Sequence, residues 1–207
     1  MRKCDFSRSH QEFENWIYWY GRFILKLISA RRVIRYKDEK LELMEALVMR
    51  CCVRWEVLVE EDVITAFNRD SSAYAAHLGL KLRKHLTKDE CEAILIGHRY
   101  LDFKSVGDLK GFARRYLSPK FNPFEAITSD LEHKIDEFLV MRNLLAHYSS
   151  SGWRSYYRTM KRSHRLQRVR EPGEFLIGIN PKTKLFQWHE YLQAFLASSR
   201  LMLKSVG

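Results

Sequence analysis

Residues 129–147 read SDLEHKIDEFLVMRNLLAH, and this stretch decides the fold class. Leu131, Ile135, Phe138 and Leu145 recur at three- and four-residue intervals, the period of a helix with one buried face. The helix begins between Phe124 and Ser129, after the Asn122-Pro123 break, and runs to His147. Ser149, Ser150, Ser151 and Gly152 then interrupt the pattern.

The same period continues outward from this helix. Phe13, Ile17, Tyr20, Ile24 and Leu27 predict a first helix over about residues 10–35. Asp38 caps a long second helix whose stripe is Leu41, Met44, Val48, Cys51, Trp55 and Leu58. Ser71 and Ser72 cap a third carrying Tyr74, Leu78 and Leu82. Thr87, with Glu90 three residues on, forms a capping box for a fourth, through about His98. Ser105 to Leu117 is a short fifth helix closed by Ser118-Pro119. On the other side, Trp153 to Arg170 is basic and compatible with a helix, and Trp188 to Leu203 is the last. Gly173 to Trp188 is the one β-like region, where Phe175-Leu176-Ile177 and Leu185-Phe186 flank Asn180-Pro181 and admit a short β-hairpin. The expected fold is therefore all-α, a compact helical bundle with a basic C-terminal extension. Residues 1–152 form the bundle with an N-terminal accessory helix, and residues 153–207 are a basic segment and C-terminal helix packed on it.

Composition agrees with a helical globular chain. Of 207 residues, 46% are hydrophobic and 13% aromatic, too apolar for a disordered chain, and 9 Gly and 4 Pro are too few for collagen-like or low-complexity sequence. The net charge of +11 points to an anionic partner, nucleic acid first. Cys4, Cys51, Cys52 and Cys91 contain no C-x-x-C pair, which argues against zinc and for free thiols in a reducing compartment. Arg2 and Lys3 resemble the start of a secretory signal, but Asp5, Arg8, Glu12 and Glu14 replace its apolar region. No run of 18 uncharged apolar residues occurs, so a soluble, cytoplasmic protein without a membrane partner is expected. His77, His85, His98, His133, His164 and His189 share no metal-ligand spacing, and neither metal nor cofactor is predicted.

The chemistry lies in Arg142-Asn143-Leu144-Leu145-Ala146-His147. Arg142 continues the apolar stripe, so its guanidinium meets an anion, a carboxylate or a partner chain, or snorkels at the edge of the core. Asn143 and His147 stand four apart on one helical face, where the amide can orient the imidazole. Histidine transfers protons near neutral pH, and arginine offers a planar fork to phosphate. RNA brings its own nucleophile, the 2′-hydroxyl, so these groups suffice for its cleavage without a nucleophilic side chain.

This string resembles the R-x4-6-H motif of the HEPN superfamily, in the form with a polar residue after the arginine. The resemblance extends over about residues 38–152, with the six-residue string its specific part. It implies a helical bundle that dimerises, so that two motifs share a cleft, and a metal-independent endoribonuclease of toxin–antitoxin or phage-defence systems. Carried over by position, Arg142 stabilises the scissile phosphate, His147 acts on the 2′-hydroxyl or leaving oxygen, and Asn143 orients the site. Arg142 and His147 point about 140° apart on a straight helix, which favours a cleft shared by two copies. Members paired with nucleotidyltransferase antitoxins have tyrosine two residues after the histidine. Here Tyr148 follows directly and Ser149 stands at that position, so the likeness to that subgroup stops there.

Beyond the motif, residues 151–170 contain seven cations and no acid: Arg154, Arg158, Lys161, Arg162, Arg165, Arg168 and Arg170. Those at 154, 158, 161, 165 and 168 fall at helical spacing, with Trp153, Tyr156 and Tyr157 between them. Such a stripe can track an RNA backbone while aromatics stack on unpaired bases. It also fits an acidic antitoxin or regulatory protein, or an ordinary solvated helix with inward-packed aromatics. The alternative to an enzyme is a non-catalytic module of the same shape that binds RNA, a nucleotide or a protein.

Overall fold

The computed structural model describes residues 4–29, 37–97, 103–164 and 168–207. Among them are nine α-helices and two single 3-10 turns, Pro119–Phe121 and Phe124–Ala126. The helices are α1 (Phe6–Ser29), α2 (Lys37–Arg69), α3 (Ser72–Leu78), α4 (Lys88–Gly97), α5 (Val106–Tyr116), α6 (Ser129–His147), α7 (Ser150–His164), α8 (Pro172–Leu176) and α9 (Gln187–Val206). The fold is all-α. No helix among the described residues is long and apolar enough to cross a membrane. The end of the expected first helix beyond residue 29, and His98, lie outside the described residues.

Local signals set most boundaries. Thr87 and Glu90 cap each other: the Thr87 N–H donates to Glu90 Oε2 (2.7 Å) and the Glu90 N–H to Thr87 Oγ1 (3.2 Å). Ser105 Oγ accepts from the Asp108 N–H at 3.0 Å and starts α5. Gly79, at φ 66°, ends α3 in the left-handed conformation, so Leu82 falls beyond that helix. The break after α6 is shorter than expected, because Ser149 caps α7 and Ser150, Ser151 and Gly152 are its first turn.

The expected β-hairpin is not formed. Phe175 and Leu176 belong to α8, which Pro172 opens, and one antiparallel bridge, Ile179 to Phe186, remains. Asn180 explains why pairing stops there. Its side chain accepts from the Lys182 N–H (2.9 Å), folding the chain into a tight turn, and α9 begins at Gln187.

The chain groups into two compact units. One comprises residues 1–14, 55–132 and 197–207. Phe13 meets Trp55 edge-on at 6.1 Å in its core, and Phe67 meets Tyr74 at 5.2 Å. It also encloses a polar triplet, with His10 Nε2 3.0 Å from Asp62 Oδ2 and His10 Nδ1 2.8 Å from Ser199 Oγ. The order matches a hydrolytic triad, yet all three residues are fully buried, so no substrate reaches Ser199. They satisfy one another as a core network.

The second unit comprises residues 15–54 and 133–196. Its core holds Ile17, Ile24, Met44, Leu47, Val48, Cys51, Phe138, Met141, Leu144, Trp188, Tyr191 and Phe195. Gly173 allows the closest backbone approach, since a Cβ there would lie 2.9 Å from Leu41 Cα. Cys51, Cys52 and Cys91 are buried free thiols, and Cys4 is a half-exposed one.

Candidate functional site

Helix α6 is more enclosed than one stripe requires. Ile135, Phe138 and Leu139 are buried on one side, and Glu137, Met141 and Leu144 on another. Toward the C-terminal end only the Met141–Leu144 side stays buried. Arg142 and Leu145 lie on the opening side and are half-buried. Arg142 is therefore at a margin of the core rather than within its stripe.

The Arg142 Nη1 donates to Asn143 Oδ1 at 3.0 Å, joining the two residues. Asn143, expected to orient the site, has its side-chain carbonyl on the guanidinium. A charge-assisted bond to the adjacent arginine outcompetes a neutral one reaching a full turn along the helix. His147 is the last residue of α6, exposed, and makes no hydrogen bond among the described residues.

Immediately after His147 the chain turns sharply. Tyr148 has φ 40°, its N–H donates to the Leu144 carbonyl at 2.7 Å, and its hydroxyl donates to Glu45 Oε2 at 3.0 Å. Burial, followed by the Glu45 carboxylate, pushes the Tyr148 phenol up to about 12. The Ser149 hydroxyl then accepts from the Gly152 N–H at 3.1 Å and starts α7. A Cβ at Gly152 would lie 3.2 Å from this same Ser149 hydroxyl oxygen, a tight contact.

Of the five cations expected at helical spacing, α7 carries three, Arg154, Arg158 and Lys161. Arg154, Arg158, Lys161 and Arg162 are exposed and, with Trp153 and Tyr157, line one open depression of about 680 Å³. Arg168 is exposed beyond the helix, and Arg165 lies outside the described residues. The three aromatics divide by environment. Tyr156 is fully buried and donates its hydroxyl to the Arg170 carbonyl at 2.7 Å. Trp153 packs edge-on against it at 5.9 Å. Tyr157 is exposed, with Lys161 Nζ 5.7 Å from its ring centroid, and is the aromatic best presented for stacking.

Sequence reasoning missed the group that fastens α7. Glu137, in the middle of α6, accepts from the Tyr191 hydroxyl at 2.5 Å and lies 3.1 Å from His164 Nε2. Burial pushes this carboxyl up, but hydrogen bonds from His164, Tyr191 and Ser163 outweigh it and hold the group below the ordinary glutamate range. The clue was present in the spacing: Glu137, Met141 and Leu144 stand at i, i+4 and i+7, a carboxylate within a second apolar stripe. Glu137 thus ties both α7 and α9 to the helix that carries Arg142.

No group of three His, Cys, Asp or Glu among the described residues is arranged to hold a metal. No protein-family model, curated protein or solved structure matches this chain.

Proposed function

We propose that the protein is a HEPN-type endoribonuclease that cleaves RNA by 2′-hydroxyl transesterification without a metal, in a toxin–antitoxin or phage-defence setting. The observation that carries this reading is the Arg142–Asn143 pair beside an exposed His147, at the junction with a cationic helix. His147 removes the 2′-hydroxyl proton, and the 2′-oxygen attacks phosphorus. Arg142, steadied by Asn143, stabilises the charge of the phosphorane. The 5′-oxygen leaves with a proton, giving a 2′,3′-cyclic phosphate and a 5′-hydroxyl. Exposed Arg154, Arg158, Lys161, Arg162 and Arg168 bind flanking phosphates. A homodimer supplies the leaving-group proton from the second copy's His147, because one helix directs its own arginine and histidine apart. An acidic antitoxin would cover the same cations.

The test is cleavage of labelled RNA in EDTA. Wild type gives discrete products ending in cyclic phosphate, while His147→Ala and Arg142→Ala each lose at least about 100-fold in rate and melt as wild type does. Cleavage only with added divalent metal, or undiminished cleavage by His147→Ala, overturns the proposal.

One observation favours a second reading, a non-catalytic module that binds RNA, a nucleotide or a protein. Asn143 is engaged with Arg142, leaving the imidazole without an orienting group among the described residues. That reading predicts salt-sensitive RNA binding and no turnover.

A further inference from the structure

Helix α1 carries a second aromatic and cationic face, separate from the motif and from α7. Trp16, Trp19 and Phe23 follow one flank at i, i+3 and i+7, beside the buried stripe of Ile17, Tyr20 and Ile24. Their rings are nearly parallel. Trp16 and Tyr20 lie 4.8 Å apart at 20°, Trp19 and Phe23 5.5 Å apart at 6°, and Tyr20 and Phe23 5.9 Å apart at 22°. Some core pairs meet edge-on instead, as Phe13–Trp55 does at 61° and Phe138–Phe195 at 70°, while Phe138–Tyr191 is tilted at 32°. The outer rings are open: Trp19 is 59% exposed and Phe23 38%.

Cations outnumber acids beside these rings, and the acid one turn before Trp16, Glu12, is paired with Arg8 at 2.9 Å. Residues 15–29 contain Arg22 and Lys26 and no acid, and residues 46–55 contain Arg50 and Arg54 and no acid. Arg54 lies over the Trp16 ring at 5.7 Å. Arg50 acts on the Tyr20 phenol, which burial raises and the Arg50 charge lowers. Flat rings bordered by cations are what unpaired bases and their phosphates require. A second copy of this chain is a poorer occupant, since a two-fold contact would bring the same cations face to face.

We propose that the α1 face is a stacking platform for unpaired RNA bases, with Trp19 and Phe23 as the exposed rings and Arg50 and Arg54 beside the phosphates. The platform rests on the RNA-binding part of the function proposed above, but not on cleavage. It would engage RNA in addition to the α7 stripe.

The test is fluorescence anisotropy of a labelled 2′-O-methyl oligonucleotide without secondary structure, which transesterification cannot cleave. Trp19→Ala/Phe23→Ala weakens binding at least about fivefold. Trp19→Phe retains affinity and Trp19→Leu loses it, which separates stacking from apolar contact in general. Arg50→Gln/Arg54→Gln flattens the log–log salt slope by about 1.4, at 0.7 per phosphate on a single strand. Far-ultraviolet melts verify that each variant folds. Wild-type affinity in Trp19→Leu overturns the platform, as does a dimer that Trp19→Ala/Phe23→Ala dissociates without changing oligonucleotide affinity. Loss of binding on neutralising α7 with no effect of the α1 variants overturns the platform alone. Wild type that binds no oligonucleotide overturns it together with the RNA-binding reading.

Discussion

At the residue scale, two buried carboxylates face different balances. Asp62 is pushed up by burial, with His10 opposing incompletely, whereas Glu137 accepts enough hydrogen bonds to be held down. The sign follows for Glu137. Its folded value lies below its unfolded one, so its stabilisation is complete above the ordinary glutamate range near about 4.3. It disappears as pH falls through the folded value, because the unfolded chain takes up the proton first. Glu137→Gln therefore removes part of the acid sensitivity. Urea midpoints measured between about pH 6 and 3 should fall less steeply in the variant than in wild type. At neutral pH the variant should be less stable by about 1.5–3 kcal/mol, through weaker bonds to Tyr191 and His164. Parallel pH profiles would show that Glu137 titrates alike in the folded and unfolded chain.

At the scale of elements, α8 matters through what it lacks. Gly173 sits against the α2 backbone, with Leu41 Cα and carbonyl oxygen each 2.9 Å from where a Cβ would stand. A methyl group cannot enter without moving one helix. Gly173→Ala should cost about 1–3 kcal/mol by overpacking, read as a lowered denaturant midpoint with an unchanged slope. A stability equal to wild type would mean that α8 shifts freely. The same element shows how a β-like sequence becomes helical. Phe175-Leu176-Ile177 alone suits either strand or buried helix, and Pro172 together with the contact on α2 selects the helix. Short apolar runs contain no period long enough to decide this.

At the scale of the whole molecule, the local grouping of charge matters more than its sum. A net +11 is compatible with any solvated surface, but Arg154, Arg158, Lys161 and Arg162 bordering one depression turn it into a local field. Replacing these four with Gln should flatten the log–log salt slope of single-stranded RNA binding by about 2.8. An unchanged slope, measured from 50 to 200 mM salt, would place the phosphates elsewhere on the chain. The same variants should keep the wild-type melting temperature, since exposed cations contribute little to folding.

Periodicity, capping residues and turn formers are local properties, and they determined the all-α class, the capping box at Thr87, the start of α5 at Ser105 and the end of α6 at His147. They also marked Arg142, Asn143 and His147, and the cations that α7 presents. Tertiary structure decided which neighbour each polar group meets. It enclosed His10 with Asp62 and Ser199, and fastened Glu137 to His164 and Tyr191. It also left Trp19 and Phe23 outside the core. The physical reason is that a helix's period is a property of its own residues, whereas burial and pairing depend on atoms from distant parts of the chain. A glutamate within an apolar stripe reads as an exposed charge until a histidine 27 residues away and a tyrosine 54 residues away arrive to meet it.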